Sequence, residues 1–374
     1  MHAPLEMTTN GNEDMSRSLK HNGKLFNGLR SPENLLLHQS LHYQPLENKK
    51  VHCHLCPHNC IIQESKTGIC RQRKNTEGVL YSMNYGQLTS VNLDPMEKKP
   101  LYHFYPGEKI LSIGTNGCNL SCQFCQNWSI SQQDSPTDEL TPNEVIKKAS
   151  QYKTRFIAYT YNEPFIWYEY VLDVAKLATE KGLINVLVTN GYINMEPLME
   201  LLPYISAMNI DIKSIEEDFY HRLCKARLEP VLEVAKISRQ KKVHIEITNL
   251  VIPEENDKTT EFEELAKWIA GNLGKDTPLH LSAYFPMYRV NRPPTPVETL
   301  ISAYQIAKKY LYFVYIGNVA GIKGEQDTIC YKCGNKLIER RGYESRQNSG
   351  LTSDGRCKNC GSDNNIKIAA DFTD

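Results

Sequence analysis

The chain has 374 residues, enough for two or three compact units with a sizeable core. Lys and Arg (43) balance Asp and Glu (43), so the formal net charge is zero and nothing electrostatic calls for nucleic acid as a partner. No apolar run approaches the 18 or so residues that span a bilayer, and the first ten residues lack the basic start and apolar core of a secretion signal, so a soluble, cytoplasmic protein without a membrane partner is expected.

Twelve cysteines are too few for a disulfide scaffold, and eleven fall into three tight clusters, which in a reducing compartment reads as metal binding. Residues 1–50, rich in Asn, Ser, His and Lys, predict a flexible N-terminal arm. Residues 51–108 form a cysteine-rich module in which Cys53, Cys56, Cys60 and Cys70 stand in CxxCxxxCx9C spacing, interleaved with His52, His54 and His58. Four thiolates suit zinc and an auxiliary iron–sulfur cluster equally, and the spacing does not choose between them. Residues 78–91, with Val, Leu and Tyr between glycines, predict a small hairpin.

Over residues 109–325, short β-rich runs alternate with helical stretches. Strands are expected at 110–114, 156–160, 185–189, 207–212, 242–250 and 279–284, with 312–316 as a candidate seventh. Helices are expected at 142–151, 164–181, 195–202, 230–240, 260–273 and 296–309. Six such units imply an α/β fold, a partial (β/α)6 TIM-like barrel with its active site on the loops after the strands. An open doubly wound sheet is the rival. Residues 326–374 leave this pattern, with Cys330, Cys333, Cys357 and Cys360 in two CxxCG knuckles that predict a zinc-ribbon-like C-terminal module. The nearby Arg340, Arg341, Arg346, Arg356 and Lys358 read as solvated charges. Cys224, outside every cluster, reads as a small buried hydrophobe.

The strongest chemical signal follows the first expected barrel strand, GTNGCNLSCQFCQNW, with Cys118, Cys122 and Cys125 in CxxxCxxC spacing. Three thiolates so close on one loop reach three corners of a [4Fe-4S] cubane and leave its last iron open to bind something. The plain alternative is a zinc site completed by Cys224 or His103.

This loop resembles the cluster motif of the radical S-adenosylmethionine (SAM) superfamily, in which the aromatic position is here Phe124. The resemblance implies a radical SAM barrel, chelation of SAM by the open iron, and one-electron cleavage to a 5′-deoxyadenosyl radical. Thr160-Tyr161-Asn162-Glu163-Pro164 stands where the superfamily often has a GGEP-like segment, so Glu163 would accept the SAM ammonium, with Tyr161 and Asn162 in place of two glycines. Asp211 and Lys213 in NIDIKS resemble the DxK element of the glycyl-radical activating branch. Other strand ends offer Thr189 and Asn190, and then Glu246 and Thr248, as further cofactor contacts. His280, Tyr284, Tyr288 and Arg289 are candidate pocket residues. Each also has a plain structural reading as a cap, a turn, an ion pair or core.

From CHLCPHNC through TYNEP, NIDIKS and YIGNVAG to the C-terminal knuckles, the chain is similar to AmmeMemoRadiSam system radical SAM enzymes, themselves similar to pyruvate formate-lyase activating enzymes. That implies an external electron donor of flavodoxin or ferredoxin type, Memo-type and AMMECR-type proteins as partners, and a hydrogen-abstracting reaction on an unidentified substrate. Two readings compete with it: a glycyl-radical-enzyme activating enzyme, and a non-catalytic metal-binding or SAM-sensing protein.

Overall fold

The computed structural model describes residues 38–319, 326–347 and 350–368. Its centre is an eight-stranded sheet: β1 (Ser90–Pro95), β2 (Lys109–Gly114), β3 (Phe156–Tyr159), β4 (Ile184–Thr189), β5 (Ala207–Asp211), β6 (His244–Val251), β7 (Leu279–Ala283) and β8 (Val314–Gly317). Strands β2 to β8 run parallel in sequence order, and β1 pairs antiparallel with β2.

That order settles the choice of α/β architecture. Parallel links are right-handed, so a sheet whose neighbours follow in chain order carries its helices on one face, whereas a doubly wound sheet reverses direction part-way. The strand faces agree. Leu111, Ile113, Ile157, Leu187, Ile210, Ile245 and Ile247 join the helices' Val171, Val174, Val231, Leu265 and Leu300 in the large outer core. The intervening Ile110, Phe156, Ala158, Val186 and Ala207 form a second core with Met96, Leu101 and Phe104, so the segment after β1 fills the base of the inner face. The β1 and β8 ends are not paired, giving an open, partial barrel.

The helices lie within a few residues of expectation, because their starts are chemically marked. Pro142–Gln151 opens on a capping box in which Glu144 donates its backbone N–H to Thr141 Oγ1 (3.4 Å) while its carboxylate accepts from the Thr141 N–H (2.7 Å). Among the described residues, no helix is long and apolar enough to cross a membrane.

Two expectations need correction. Residues 1–37 of the expected arm lie outside the described residues, but 38–50 are part of the first module. His38–Gln39 pairs with Val79–Ser82, and Tyr43–Pro45 with Val51–Cys53. Strands of two or three residues carry no alternating pattern to read. These are tied in by backbone pairing and by Leu41, whose N–H donates to Glu169 (2.7 Å) and whose carbonyl accepts from Arg73 (2.6 Å). The hairpin of the 78–91 region is Arg73–Thr76 with Val79–Ser82, while Ser90 onward leaves it to become β1.

The base of the barrel holds a buried polar cluster. Glu246 on β6 accepts from the backbone N–H groups of Tyr102 (2.9 Å) and His103 (2.7 Å), and lies 3.0 and 2.7 Å from the imidazoles of His244 and His280. Burial alone would raise its carboxyl, but these hydrogen bonds outweigh burial and hold it well below the usual carboxylate range. His103 lies between the Tyr315 hydroxyl (2.5 Å) and the Asn364 carbonyl (2.9 Å), and burial pushes its imidazole down to about 3.

Candidate active site

The three-cysteine loop leaves β2 at Gly114, where a Cβ would sit 2.7 Å from the Thr160 carbonyl at the end of β3. Only a residue without a side chain lets these strand ends approach so closely. Asn162 ties the turn down, accepting from Thr115 N (3.0 Å) and donating to Gly117 O (3.0 Å). Further along, Asn119 donates to Tyr192 O (2.6 Å) and accepts from Asn190 Nδ2 (2.9 Å). Backbone pairs Ser121–Cys224 and Gln123–Leu223 (3.0 Å each) dock the loop on a π-helical turn, Tyr220–Cys224. The loop is thus held by strand ends β3 to β5.

Donors converge on its sulfurs. Leu120 N lies 3.4 Å and Asn190 Nδ2 3.6 Å from Cys118 Sγ, and Ser131 Oγ lies 3.0 Å from Cys125 Sγ. Burial raises the Cys118 and Cys125 thiols, whereas the hydrogen bond from Cys224 is the leading cause lowering Cys122. Buried and half-buried thiols beside N–H and O–H groups suit thiolates bound to a cationic metal centre, which supplies the positive charge that burial otherwise lacks. The residues present therefore fit an iron–sulfur cluster.

Around the loop stand most of the expected cofactor residues. Glu163 is buried; it accepts from Phe165 N (3.0 Å) and Thr189 Oγ1 (2.7 Å) on one oxygen and from Asn190 N (2.8 Å) on the other, which leaves a lone pair for a further donor. Burial pushes its carboxyl up to about 7 despite these bonds. Asn190 therefore links this carboxylate to Cys118. Tyr161 takes a left-handed backbone (φ 72°) where glycine would be free of strain, and its hydroxyl bonds to Asp94, with Lys99 4.5 Å from its ring. Asp211 and Lys213 pair at 3.2 Å. The Lys213 ammonium also lies 6.0 Å from the ring of Phe124, which packs on Phe219. Thr248 is in register with Asp211 and bonds to Asn209 (2.9 Å).

Glu246 is elsewhere. It lies two residues below Thr248 on β6, about 7 Å further from the loop end, with its oxygens taken by the base cluster. His280 belongs to the same cluster and is not a pocket residue. Tyr284 is buried, with its hydroxyl on Val290 O (2.6 Å). Tyr288 stacks on Trp128 (5.6 Å) and Arg289 on Tyr288 (4.9 Å), a rim anchored where Arg289 N meets Gln123 O (2.8 Å). His103, at the base, is not beside the cysteine loop, whereas Cys224 is. Sequence reasoning gave no role to Asn119 and Asn162, whose partners lie 45 to 73 residues away, or to Ser131, which is six residues from Cys125.

The flanking modules differ in geometry. Among the described residues, Cys330, Cys333, Cys357 and Cys360 are the one group of three or more candidate ligands whose donor atoms all lie within 4.8 Å of one another. Their sulfurs come as close as 3.6 Å for Cys330–Cys360 and Cys333–Cys357, near the roughly 3.8 Å edge of a tetrahedral zinc site. Arg340 is not solvated: it is 5% exposed, lies 4.3 Å from the Tyr102 ring and donates to Tyr102 O (2.5 Å) and Thr328 Oγ1 (2.7 Å). Arg341, Arg346, Arg356 and Lys358 are exposed. Cys53, Cys56, Cys60 and Cys70 line one small cavity.

Residues 112–269 match the family model described as the Radical SAM superfamily. An uncharacterized protein of Methanocaldococcus jannaschii is 44% identical over 330 residues, covering 87% of this chain and 98% of that protein. The pyruvate formate-lyase-activating enzyme of Clostridium pasteurianum is 25% identical over 162 residues, 41% of this chain and 66% of that one. The chain belongs to the radical SAM superfamily. Among solved structures, a radical SAM methyltransferase from Sphaerobacter thermophilus superposes with a TM-score of 0.47 at 17% identity, covering 58% of this chain and 68% of that one. The superfamily match begins on β2 and takes in the three-cysteine loop, Glu163, Asp211 and Lys213.

Proposed function

We infer that Cys118, Cys122 and Cys125 hold a [4Fe-4S] cluster whose open iron binds SAM, and that the enzyme abstracts hydrogen from a substrate at the rim of the barrel. With cluster and SAM bound, one electron cleaves the cofactor's S–C5′ bond to give a 5′-deoxyadenosyl radical. The observation that carries the reading is Asn190, whose side chain lies 3.6 Å from Cys118 Sγ while its backbone N–H donates to Glu163 at 2.8 Å. One residue thus joins a cluster ligand to a buried carboxylate with a lone pair to spare.

The chain's own groups have definable tasks. Glu163 receives the SAM ammonium in a low-dielectric setting, where a charge-assisted hydrogen bond is strong. Thr189 and the Asn190 backbone orient that carboxylate. Asp211, Lys213 and Thr248 line the strand ends beside it as further cofactor contacts. The buried Phe124–Phe219 contact excludes water from the side of Cys122. Trp128, Tyr288 and Arg289 face the substrate. The reductant is an external one-electron donor of flavodoxin or ferredoxin type, and Memo-type and AMMECR-type proteins are the partners the resemblance suggests. Cys330, Cys333, Cys357 and Cys360 hold structural zinc.

The test is the electron paramagnetic resonance spectrum of the reduced, reconstituted protein titrated with SAM. The spectrum is expected to change on SAM binding. Glu163→Gln is expected to keep the cluster but bind SAM roughly 10- to 150-fold more weakly, the loss of one charge-assisted hydrogen bond of about 1.5–3 kcal/mol. An unchanged spectrum at saturating SAM in the wild type overturns the reading.

A further inference from the structure

The two ends of the barrel carry different chemistry. The candidate active site lies at the carboxyl ends of the strands, whereas the amino ends of β4, β5 and β6 frame a separate cavity of about 450 Å3 at the base. Ile184 and His244, which line it, are the first residues of β4 and β6, and Ser206 immediately precedes β5. His244 is four residues from Thr248 on β6, so about 13 Å of strand separates the cavity from the expected cofactor contacts. The end of the C-terminal module completes the wall. Lys367 donates its backbone N–H to His103 O and accepts from Tyr105 N, both at 2.7 Å, which ties the segment carrying Asn365 and Lys367 to the one carrying Phe104 and Tyr105. The volume falls within the roughly 300–1,000 Å3 of small-molecule sites. This face of a barrel ordinarily serves stability, and stability alone does not call for cations gathered round a cavity.

Its lining is cationic. Arg239, Lys242 and Lys367 contribute to it, and no acidic side chain does. Arg239, in the last turn of the helix Glu229–Gln240, uses Nη2 to bond Asp276 at 2.8 Å, which fixes the guanidinium and offsets one charge of the three while the rest of its fork stays open to another acceptor. Lys242 stands in the turn into β6 with a left-handed backbone (φ 66°), and its N–H bonds to Arg239 O (3.0 Å), so the two cations are held side by side by the main chain. In a chain whose net charge is zero, this concentration of one sign on a concave wall selects an anion.

A second, independent observation is His244. The residue is 5% exposed, and its Nε2 lies 3.0 Å from Glu246, whose carboxyl stays ionised, so Nε2 carries a hydrogen. Its Nδ1 is buried and has no partner. An imidazole nitrogen left so is costly unless a guest meets it. As a lone pair it accepts from an O–H, and once protonated it donates to an oxyanion. A phosphate monoester, whose second proton leaves near pH 6, supplies both, whereas a carboxylate supplies the acceptor alone. The remaining wall is apolar: Phe104 and Tyr105, with rings 4.8 Å apart, stand with Ile184 and Val243. Inorganic phosphate would leave that wall uncovered, so the guest carries an organic body. A nucleic-acid strand would need a longer basic groove to track its backbone.

We propose that the cavity at the base of the barrel binds a small organic phosphate monoester, its phosphate held by Arg239, Lys242 and Lys367 and its apolar body resting on Phe104 and Tyr105. The site is distinct from the three-cysteine loop and does not rest on the radical SAM reading. Because the ligand binds the folded chain alone, it stabilises the fold in proportion to its occupancy.

The full-length protein, reconstituted with iron and sulfide and kept at saturating SAM so that the catalytic end is occupied, is titrated by calorimetry with phenyl phosphate, inorganic phosphate and phenol. Phenyl phosphate is expected to bind with a Kd on the order of 1 mM or tighter, inorganic phosphate about tenfold more weakly, and phenol without detectable heat. Lys242 and Lys367 are exposed, so a Lys242→Ala, Lys367→Ala variant is expected to keep the wild-type urea midpoint and SAM affinity while binding phenyl phosphate at least about tenfold more weakly. No binding of phenyl phosphate by the wild type up to about 10 mM overturns the proposal, as does binding that the double variant leaves unchanged. Equal affinity for inorganic phosphate overturns the organic body, and equal affinity for phenol overturns the phosphate. Failure of the catalytic reading would leave the phosphate titration and its loss in the double variant in place, so the two failures are distinguishable.

Discussion

Glu246 separates an account built on strand ends from one built on contacts, and its substitution makes the sharpest prediction. Four donors meet its carboxylate: the backbone N–H groups of Tyr102 and His103, and the imidazoles of His244 and His280. In Glu246→Gln one oxygen becomes an NH2 group. An imidazole facing it adopts the other tautomer and accepts, but a backbone N–H cannot, so one buried N–H is stranded whichever way the amide turns. Stranding it costs about 1–3 kcal/mol, and losing the charge on the remaining bonds adds on the order of 1 kcal/mol, giving roughly 3 kcal/mol in all. The variant is expected to unfold at clearly lower urea, followed by circular dichroism, with SAM affinity at low denaturant unchanged within about twofold. Stability follows the same group in pH. The native carboxyl lies well below its unfolded value, so its contribution is present above about pH 4.5 and is lost as pH falls toward the native value. The wild type should lose stability through this acid range more steeply than the variant. A Glu246→Gln protein as stable as wild type but unable to bind SAM would refute this reasoning and return Glu246 to the cofactor site.

Other expectations follow from single contacts. Cys224→Ala is expected to retain the active-site cluster and SAM cleavage, because Cys224 serves Cys122 as a hydrogen-bond donor; loss of all active-site iron would make it a fourth ligand. Glu163, raised by burial to about 7, must be ionised to bind a cation, so SAM affinity measured by titration calorimetry is expected to rise between pH 6 and 8 and then level off; a flat profile contradicts that role. Its raised value also means that stability of the cofactor-free protein falls as pH climbs from about 4.5 to about 7 and levels off above. Arg340→Ala removes a buried guanidinium that bonds to Tyr102 and Thr328, and is expected to lower the unfolding free energy by about 2–4 kcal/mol, read from the urea midpoint. Cys330→Ser is expected to hold one zinc ion per chain fewer than the wild type, by metal analysis; an unchanged zinc count contradicts a zinc site there.

Much of this molecule was legible in its sequence, for local physical reasons. Strands buried on both faces are short apolar runs that stand out between helices marked by Thr-Pro and Glu-Pro starts, so β2 to β8 fell within two or three residues of expectation. The three-cysteine loop is a contiguous motif, although Asn162 and Asn190, which tie it down, lie on later strand ends. What escaped was set by distance in the chain. His38–Gln39 and Tyr43–Pro45 are strands only because Ser82 and Cys53 are there to pair with them. Ser90–Pro95, with Asp and Pro at its end, shows β character only against β2. Glu246 sits on the inner face like Thr248, and periodicity cannot tell the base of a barrel from its mouth; the segment carrying Tyr102 and His103 decides it. Arg340 is buried partly by Tyr102, 238 residues away, beyond any local charge pattern. The two four-cysteine modules, alike on paper, part company in how their sulfurs stand.

The most direct test of the central claim is the formation of 5′-deoxyadenosine. Reconstituted, dithionite-reduced wild-type protein is incubated anaerobically with SAM beside the Cys118→Ala, Cys122→Ala, Cys125→Ala variant, and the nucleoside is quantified by mass spectrometry. The account predicts product from the wild type and none above background from the variant. Absence of product from a wild type whose cluster is intact and reduced would contradict it.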